Sequence, residues 1–445
     1  MFRKKKLKAN DNMSKRKVPI KAKGLNNEHT SSEKYGKMPR KGADNKTDAD
    51  KIKKSKASHF QKRGIKKGFV LNKFFFLKNT GMDLPFLFLV LTLLVIGLIM
   101  LFSASYPNAF YLHKGDSFYF IKNQVLFAII GLCAMFTLSF FDYNRLRNLS
   151  WPLLGVSFIL LVVVLFMPPI NGVHRWIQIG SFGFQASEIT KFAIVVFFSH
   201  LITLNFNKMG TFKYGILPFL IVLAPTLILL ALEPHISCTV IVILLGGGML
   251  FIGGIKLRWF GMVLGAVSTA LVYLVMFTDK LTYANNRIAG WLDPFGANTS
   301  VDTWQTRQGL YAIGSGGALG LGLGNSRQKY LYIPEPQNDF IFSVVCEELG
   351  FVGAVIILLL FAMLTWRGIL ISMRAKNRFG ALLGIGLTAQ VGLQVILNIA
   401  VVTNTIPNTG ISLPFFSYGG TSLLMLLAQM GIVLSVSRTA KLEKF

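Results

Sequence analysis

The residues of this chain that could do chemistry are acids and bases set against apolar runs. In YIPEPQNDFIFSVVCEELG, at 332–350, Asp339, Ser343 and Glu347 recur every four residues where a hydrophobic stretch begins, a spacing that places them on roughly one face of a helix. Carrying an acid to the centre of a bilayer costs about 2.5–3.5 kcal/mol, so an acid kept at the mouth of such a helix calls for a use. Glu347 would lie about 12 Å further along the axis than Asp339 at 1.5 Å per residue. Carboxylates so far apart suit separate ion pairs or a relay better than one shared site, and Glu348 is read with Glu347.

Cations and further polar groups stand nearby. In NGVHRWIQIGSFGFQASEITKF, at 171–192, Glu188 and Lys191 are three apart and can pair on one helix face, with Ser187 as the expected cap and Glu188 in the first turn at the positive end of the helix dipole. The pair either ties the bundle together or lines a polar cavity. Arg175 offers a guanidinium fork suited to phosphate, and Trp176 beside it belongs to an interfacial belt or to a site. Gln394 and Asn398 share a four-residue spacing and read as interhelical glue. His113, His174, His200 and His235 show no metal-ligand spacing, so no protein-held metal is expected. The run GSGGALGLGLGN at 314–325 lacks the G-x-x-x-x-G-K-[ST] pattern of a nucleotide loop, and its glycines are expected to allow tight turns and close packing against a helix or a lipid head.

The elements that position these groups follow from hydropathy. With 52% hydrophobic and 15% charged residues in 445 and a mean hydropathy of +0.52, the chain is far more apolar than a soluble domain. Its formal charge of +28 is concentrated in residues 1–80, which carry 25 Lys/Arg against 6 Asp/Glu. That segment reads as a disordered cytoplasmic tail drawn to anionic lipid rather than nucleic acid, and no cleavable signal peptide is expected. Cys133, Cys238 and Cys346 all fall in hydrophobic runs, which argues against a disulfide framework or a zinc site.

Ten transmembrane helices are expected, at 84–105, 119–141, 149–167, 188–204, 214–232, 236–253, 260–278, 340–366, 379–402 and 418–437. The fold class is therefore all-α, a polytopic integral membrane protein. Loops bearing Arg145 and Arg147, Lys208 and Lys213, Lys256 and Arg258, and the cluster from Arg367 to Arg378 fall on one side, which makes that side and both termini cytoplasmic. The domain expectation is a tail at 1–80, a transmembrane domain at 81–438 with a large extracellular loop at 279–339, and a short tail at 439–445. Asp339 then faces outside, where no ATP is available and energy must come from an activated substrate.

Four separated segments resemble one family in the right order: GMDLPFLFLVLTLLVIGLIMLFSAS (81–105), NGVHRWI with QASEITKF, YIPEPQNDFIFSVVCEELG, and NTGISLPFFSYGGTSLL (408–424). They look like the SEDS proteins FtsW, RodA and SpoVE of bacterial division, elongation and sporulation, with GIVLSVSR (431–438) nearest the FtsW and SpoVE branch. The resemblance implies a peptidoglycan glycosyltransferase that polymerises lipid II outside the cytoplasmic membrane, at the septum in the FtsW case. Its implied partners are a class B penicillin-binding protein and other division proteins. The essential acid falls on Asp339, the functional tryptophan on Trp176 and the acid–base pair on Glu188 and Lys191, and Ser417, Gly419 and Gly420 are expected at the substrate. One departure stands out: Glu233, Pro234 and His235 replace the family's common Q-P-D.

The implied chemistry is an inverting transfer, since an α-linked diphosphate gives a β-linked polymer. It needs one base, Asp339, and no covalent intermediate. Arg175, Lys191, Arg327 and Lys329 are candidates for the diphosphate, with a divalent cation, Mg²⁺ or Mn²⁺, as a possible addition. A lipid II flippase and a scaffold without activity are the alternatives, and a RodA- or SpoVE-type polymerase is the alternative within the family.

Overall fold

The fold is built from helices that satisfy their own backbone polar groups, as an apolar surround demands. The computed structural model describes residues 81–168, 174–179, 182–233, 235–256, 258–259, 261–262, 265, 290–296 and 301–440, all within one compact unit spanning 69–445. The expected tail at 1–80 lies outside the described residues, as do most of the span at 260–278 and of the tail at 439–445. Among the described residues, seven helices are long and apolar enough to cross a membrane: α1 Leu84–Leu112, α2 Tyr119–Phe140, α3 Arg145–Leu165, α4 Ala186–Asn205, α8 Ile341–Met373, α9 Arg378–Val402 and α10 Gly420–Thr439. Between them lie two shorter apolar helices, α5 Leu217–Leu232 and α6 Ile236–Ile252, and the polar helix α7 Val301–Gly316. The fifth and sixth spans, separated only by residues 233–235, are indeed two helices.

Local signals set the helix ends. The Asp83 side chain caps α1 by accepting from Phe86 N at 2.9 Å and takes both Arg367 Nε and Nη2 at 3.1 and 2.8 Å, a bidentate pair on the expected cytoplasmic side. Asn377 caps α9, accepting from Gly380 N at 2.8 Å. Helix α4 starts earlier than its capping signal suggested. It begins at Ala186 with Gln185 at the cap position, because a short antiparallel hairpin pairs Trp176 with Gln185 and Ile177 with Phe184 and delivers the chain to that point. Ser187 is therefore inside the first turn and is not the cap. Helices α2 and α10 pack along each other, and a Cβ on Gly431 would stand 2.4 Å from the Met135 carbonyl oxygen, a small-residue contact of the kind that holds helices together in lipid.

Helix α8 is broken. Gly350 has φ 66 and ψ −172, which splits it into a half-helix at 341–349 and a long helix at 351–373. The backbone groups freed by the break are taken up by the glycine-rich run: Phe351 N donates to Gly317 O at 2.9 Å and Val352 N to Ala318 O at 3.1 Å, while Leu321 N donates to Glu347 O at 2.9 Å and Gly322 N to Glu348 O at 3.0 Å. The segment expected as an external loop at 279–339 thus contains helix α7 and a glycine run folded onto the middle of α8. The close packing expected of these glycines is what they do. Gly350→Ala would place a Cβ 2.2 Å from Gly320 N at a positive φ, so it is expected to destabilise the protein by about 1–3 kcal/mol, read as a lowered thermal midpoint in detergent. An unchanged midpoint would contradict this account of the break.

Candidate functional site

Asp339 precedes the half-helix rather than lying in it, since α8 begins at Ile341 with Phe340 at the cap position. The expected one-face row of Asp339, Ser343 and Glu347 is therefore interrupted at its first member. Three neighbouring elements hold the backbone leading to Asp339. Asn398 of α9 donates to Asp339 O at 2.8 Å and to Ile411 O at 2.7 Å; Ser417 Oγ donates to Asn338 O at 2.6 Å; Tyr418 N donates to Gln337 O at 2.8 Å. Helix α7 adds Trp304 Nε1 to Tyr332 O at 2.9 Å and Gln305 Nε2 to Pro334 O at 3.1 Å. A half-exposed acid on a loop is in this way as fixed as one on a helix.

The carboxylate of Asp339 lies against Gly410, which has φ 71; a Cβ there would stand 3.3 Å from Asp339 Oδ2 and 3.8 Å from Ser237 Oγ. Ser237 in turn donates to Thr409 O. Gly410, Asn398 and Ser237 are thus site residues that the sequence did not single out for this role. Asn398 was legible only as polar glue, and Gly410 only as part of a matching motif.

Of the residues expected at the substrate, several gather near this end and others do not. Lys191 Nζ pairs with Glu188 Oε1 at 2.8 Å, the side chains 3% and 9% exposed. Glu188 also lines, with Gln390, Gln394, Gln429, Ser417 and Tyr418, a polar cavity of about 30 Å³, room for about two waters. Glu188 belongs both to the ion pair and to the cavity wall, while Lys191 belongs to the pair alone. Arg175 and Trp176 open the hairpin, the Trp176 ring lying over Gly183 at 3.4 Å from an added Cβ, and Thr421 Oγ1 of α10 donates to Gly183 O at 3.3 Å. The Arg175 and Lys191 charges both act on His235, which places hairpin, α4 and the α5–α6 turn around one polar region.

Ser417, Gly419 and Gly420 make their contacts within the protein. Ser417 Oγ also accepts from Leu413 N at 2.8 Å, Gly419 N donates to Gln124 Oε1 at 3.1 Å, and a Cβ on Gly420 would meet Phe127 of α2 at 2.2 Å. Ser417 holds the loop of Asp339, and Gly419 and Gly420 seat the start of α10 against α2. Lys329 is corrected outright: its side chain is 0% exposed and its ammonium is occupied by Glu348 Oε1 at 2.8 Å, Gly324 O at 2.7 Å and Ser103 Oγ at 3.2 Å, so no proton is left for a phosphate. The exposed Arg327 is tied through its backbone N to Glu347 Oε1 at 2.9 Å, at the far end of the half-helix from Asp339.

With this geometry stand the comparisons. A family model described as "Cell cycle protein", covering FtsW, RodA and SpoVE, matches residues 84–442. The chain belongs to the FtsW/RodA/SpoVE family. Among relatives, "Stage V sporulation protein E" of Bacillus subtilis is 39% identical over 370 residues, covering 82% of this chain and 99% of the relative. A "Probable peptidoglycan glycosyltransferase FtsW" of Trichlorobacter lovleyi is 36% identical over 363 residues, 81% and 94% of the two chains. Among solved structures, a chain from "Structural coordination of polymerization and crosslinking by a peptidoglycan synthase complex" superposes with TM-score 0.67 at 27% identity over 80% of this chain and 98% of that one. The rod shape determining protein RodA of Thermus thermophilus gives TM-score 0.60 at 26% identity, over 82% and 99%. The FtsW/RodA/SpoVE membership and the apolar helices make this a multi-pass membrane protein.

The family's common Q-P-D is replaced here by a buried acid and a buried imidazole in the turn between α5 and α6. Glu233 is 0% exposed and neither carboxylate oxygen has a hydrogen-bond partner among the described residues. Burial pushes its carboxyl up to about 8, with the Arg175 guanidinium pulling the other way, and burial with the same cation pushes His235 down to about 3. Glu233, its folded pKa raised above the ordinary 4.5, contributes stability that is complete below pH 4.5 and lost as pH rises through about 8. His235 acts oppositely, adding stability as pH rises from about 3 towards 6.5. Between pH 6.5 and 8 only the Glu233 effect remains, so the thermal midpoint is expected to fall across that window and Glu233→Gln to flatten the fall. An equal slope in the variant would refute the assignment.

Proposed function

We propose that this chain is a peptidoglycan glycosyltransferase that polymerises lipid II on the outer face of the cytoplasmic membrane during division, as an FtsW-type enzyme at the septum working with a class B penicillin-binding protein and other division proteins. The names of its relatives and the subject of the synthase complex support the polymerase and the cross-linking partner. The observation that carries the reading is the Asp339 carboxylate, held against Gly410 by a backbone fixed from α9 and from the loop before α10.

In this reaction Asp339 takes the proton of the acceptor sugar hydroxyl. The freed oxygen forms the new bond at the anomeric carbon of N-acetylmuramic acid while the bond to the diphosphate breaks on the opposite face, so α linkage becomes β linkage and undecaprenyl diphosphate leaves with the electron pair. The leaving diphosphate needs positive charge and no proton, which the Arg175 guanidinium supplies, Lys191 being held in its buried pair with Glu188, and half-buried Trp176 gives a ring face to sugar or prenyl. Among the described residues no three His, Cys, Asp or Glu side chains gather to hold a metal ion. A Mg²⁺ or Mn²⁺ would therefore take most of its ligands from the diphosphate and would supply charge to the leaving group.

Purified protein with its penicillin-binding partner and labelled lipid II is expected to make glycan strands, and Asp339→Ala to lose at least about 100-fold in rate with its thermal midpoint kept. A folded Asp339→Ala that polymerises at the normal rate overturns the base assignment, and wild type that moves lipid II across vesicles without polymerising it overturns the reaction. Gly410→Ala, whose Cβ would stand 3.3 Å from the Asp339 oxygen, is expected to slow the same assay about 10-fold or more, since small displacements of a catalytic group cost that much. A full rate in this variant would show that contact to be idle.

A further inference from the structure

We propose that Glu347 and the Glu348–Lys329 pair are positioning residues, which fix the half-helix at 341–349 so that Asp339 at its outer end stays in register with Gly410. The inference rests on the reading of Asp339 as the base. The Glu347 carboxylate accepts from Arg327 N at 2.9 Å, Gln328 N at 3.4 Å and Ser326 Oγ at 2.5 Å. Glu348 accepts from Lys329 Nζ at 2.8 Å, Ser103 Oγ at 2.7 Å and Ser326 N at 3.3 Å. The Lys329 ammonium also stands 4.9 Å from the centre of the Tyr106 ring. Three elements therefore meet on two adjacent glutamates: α1 through Ser103 and Tyr106, the loop before Asp339 through residues 326–329, and the half-helix itself.

The charge arithmetic separates positioning from stability. A buried ion pair is weak evidence of stabilisation, because well-packed apolar residues of similar volume often do as well. A pair at 0% exposure with every ammonium proton used is better explained by the geometry it enforces. That geometry matters because Gly350 uncouples the half-helix from the rest of α8. Nine residues at 1.5 Å each make a lever of about 13 Å, so a turn of about 5° at the break moves the far end by about 1 Å. A displacement of about 1 Å can cost about 100-fold in rate. The pin sits at the pivot end of that lever and the base at its tip.

The test compares wild type, Asp339→Ala, Glu348→Ala and the apolar double variant Lys329→Met with Glu348→Leu, each with its penicillin-binding partner. Glu348→Ala, which leaves the Lys329 charge buried alone, is expected to lower the thermal midpoint. The double variant is expected to recover the midpoint but to keep a kcat about 100-fold down with KM for lipid II within about threefold, since the pin touches no substrate. If the double variant polymerises at the wild-type rate, the pair is structural only and the inference falls, while a dead Asp339→Ala keeps the base reading standing. A second readout does not depend on turnover: spin labels at Asp339→Cys and Thr405→Cys, in a Cys133→Ser background, are expected to give a narrow distance distribution that broadens or shifts when the double variant is introduced. An unchanged distribution overturns the positioning role, whatever the activity of Asp339→Ala shows about the reaction.

Discussion

An apolar surround leaves a backbone amide no partner but the protein itself, and the break at Gly350 is where this constraint bears hardest. A helix interrupted inside a bundle releases N–H and C=O groups that must be met at once. Here the run from Gly317 to Gly322 meets them through a series of turns, four hydrogen bonds replacing the missing helical ones. Only bare α-carbons allow that approach, as a Cβ on Gly320 would sit 2.2 Å from Glu348 O. Once the run is docked there, the chain that follows must pass Glu347 and Glu348 on its way out, and it ends at Asp339. The placement of the acid thus descends from the settlement of a few backbone groups.

Much of this was legible in the sequence, and the reasons are physical. Long apolar runs fix helix existence strongly, so the nine expected spans that fall on described residues each have a helix at their place, with starts within one residue where Asp83 and Asn377 cap and other ends, such as those at Leu112 and Met373, shifted by several residues. Asp339 stood out because an acid there is costly, and the pairing of Glu188 with Lys191 followed from helical spacing. The hairpin at Trp176–Gln185 was hidden, since four-residue strands leave little period to read. The break at Gly350 was hidden because one glycine inside a helical pattern is ordinarily tolerated. Lys329 was misjudged for a related reason: its partner Glu348 is separated by a turn whose shape depends on that break.

The electrostatics of the site divide into two kinds of buried charge. Glu188 with Lys191, and Glu348 with Lys329, are closed pairs at 2.8 Å each, in which attraction at short range offsets the loss of water. Glu233 is the opposite case, an acid buried without a hydrogen-bond partner on either oxygen among the described residues, whose carboxyl burial pushes up to about 8.

Ser103 and Glu348 are 245 residues apart in sequence yet 2.7 Å apart in space. The chain leaves the ribosome from its N-terminal end, so α1 is in the bilayer long before its polar partner exists, and a lone serine can wait there at little cost. Glu347, Glu348 and Lys329 cannot wait in the same way, because each is costly in lipid until all are joined. These groups are joined only where the half-helix, the glycine run and α1 meet. A chain truncated or stalled before they meet would present unpaired charges to the membrane, a mark by which quality control can tell an unfinished copy from a finished one.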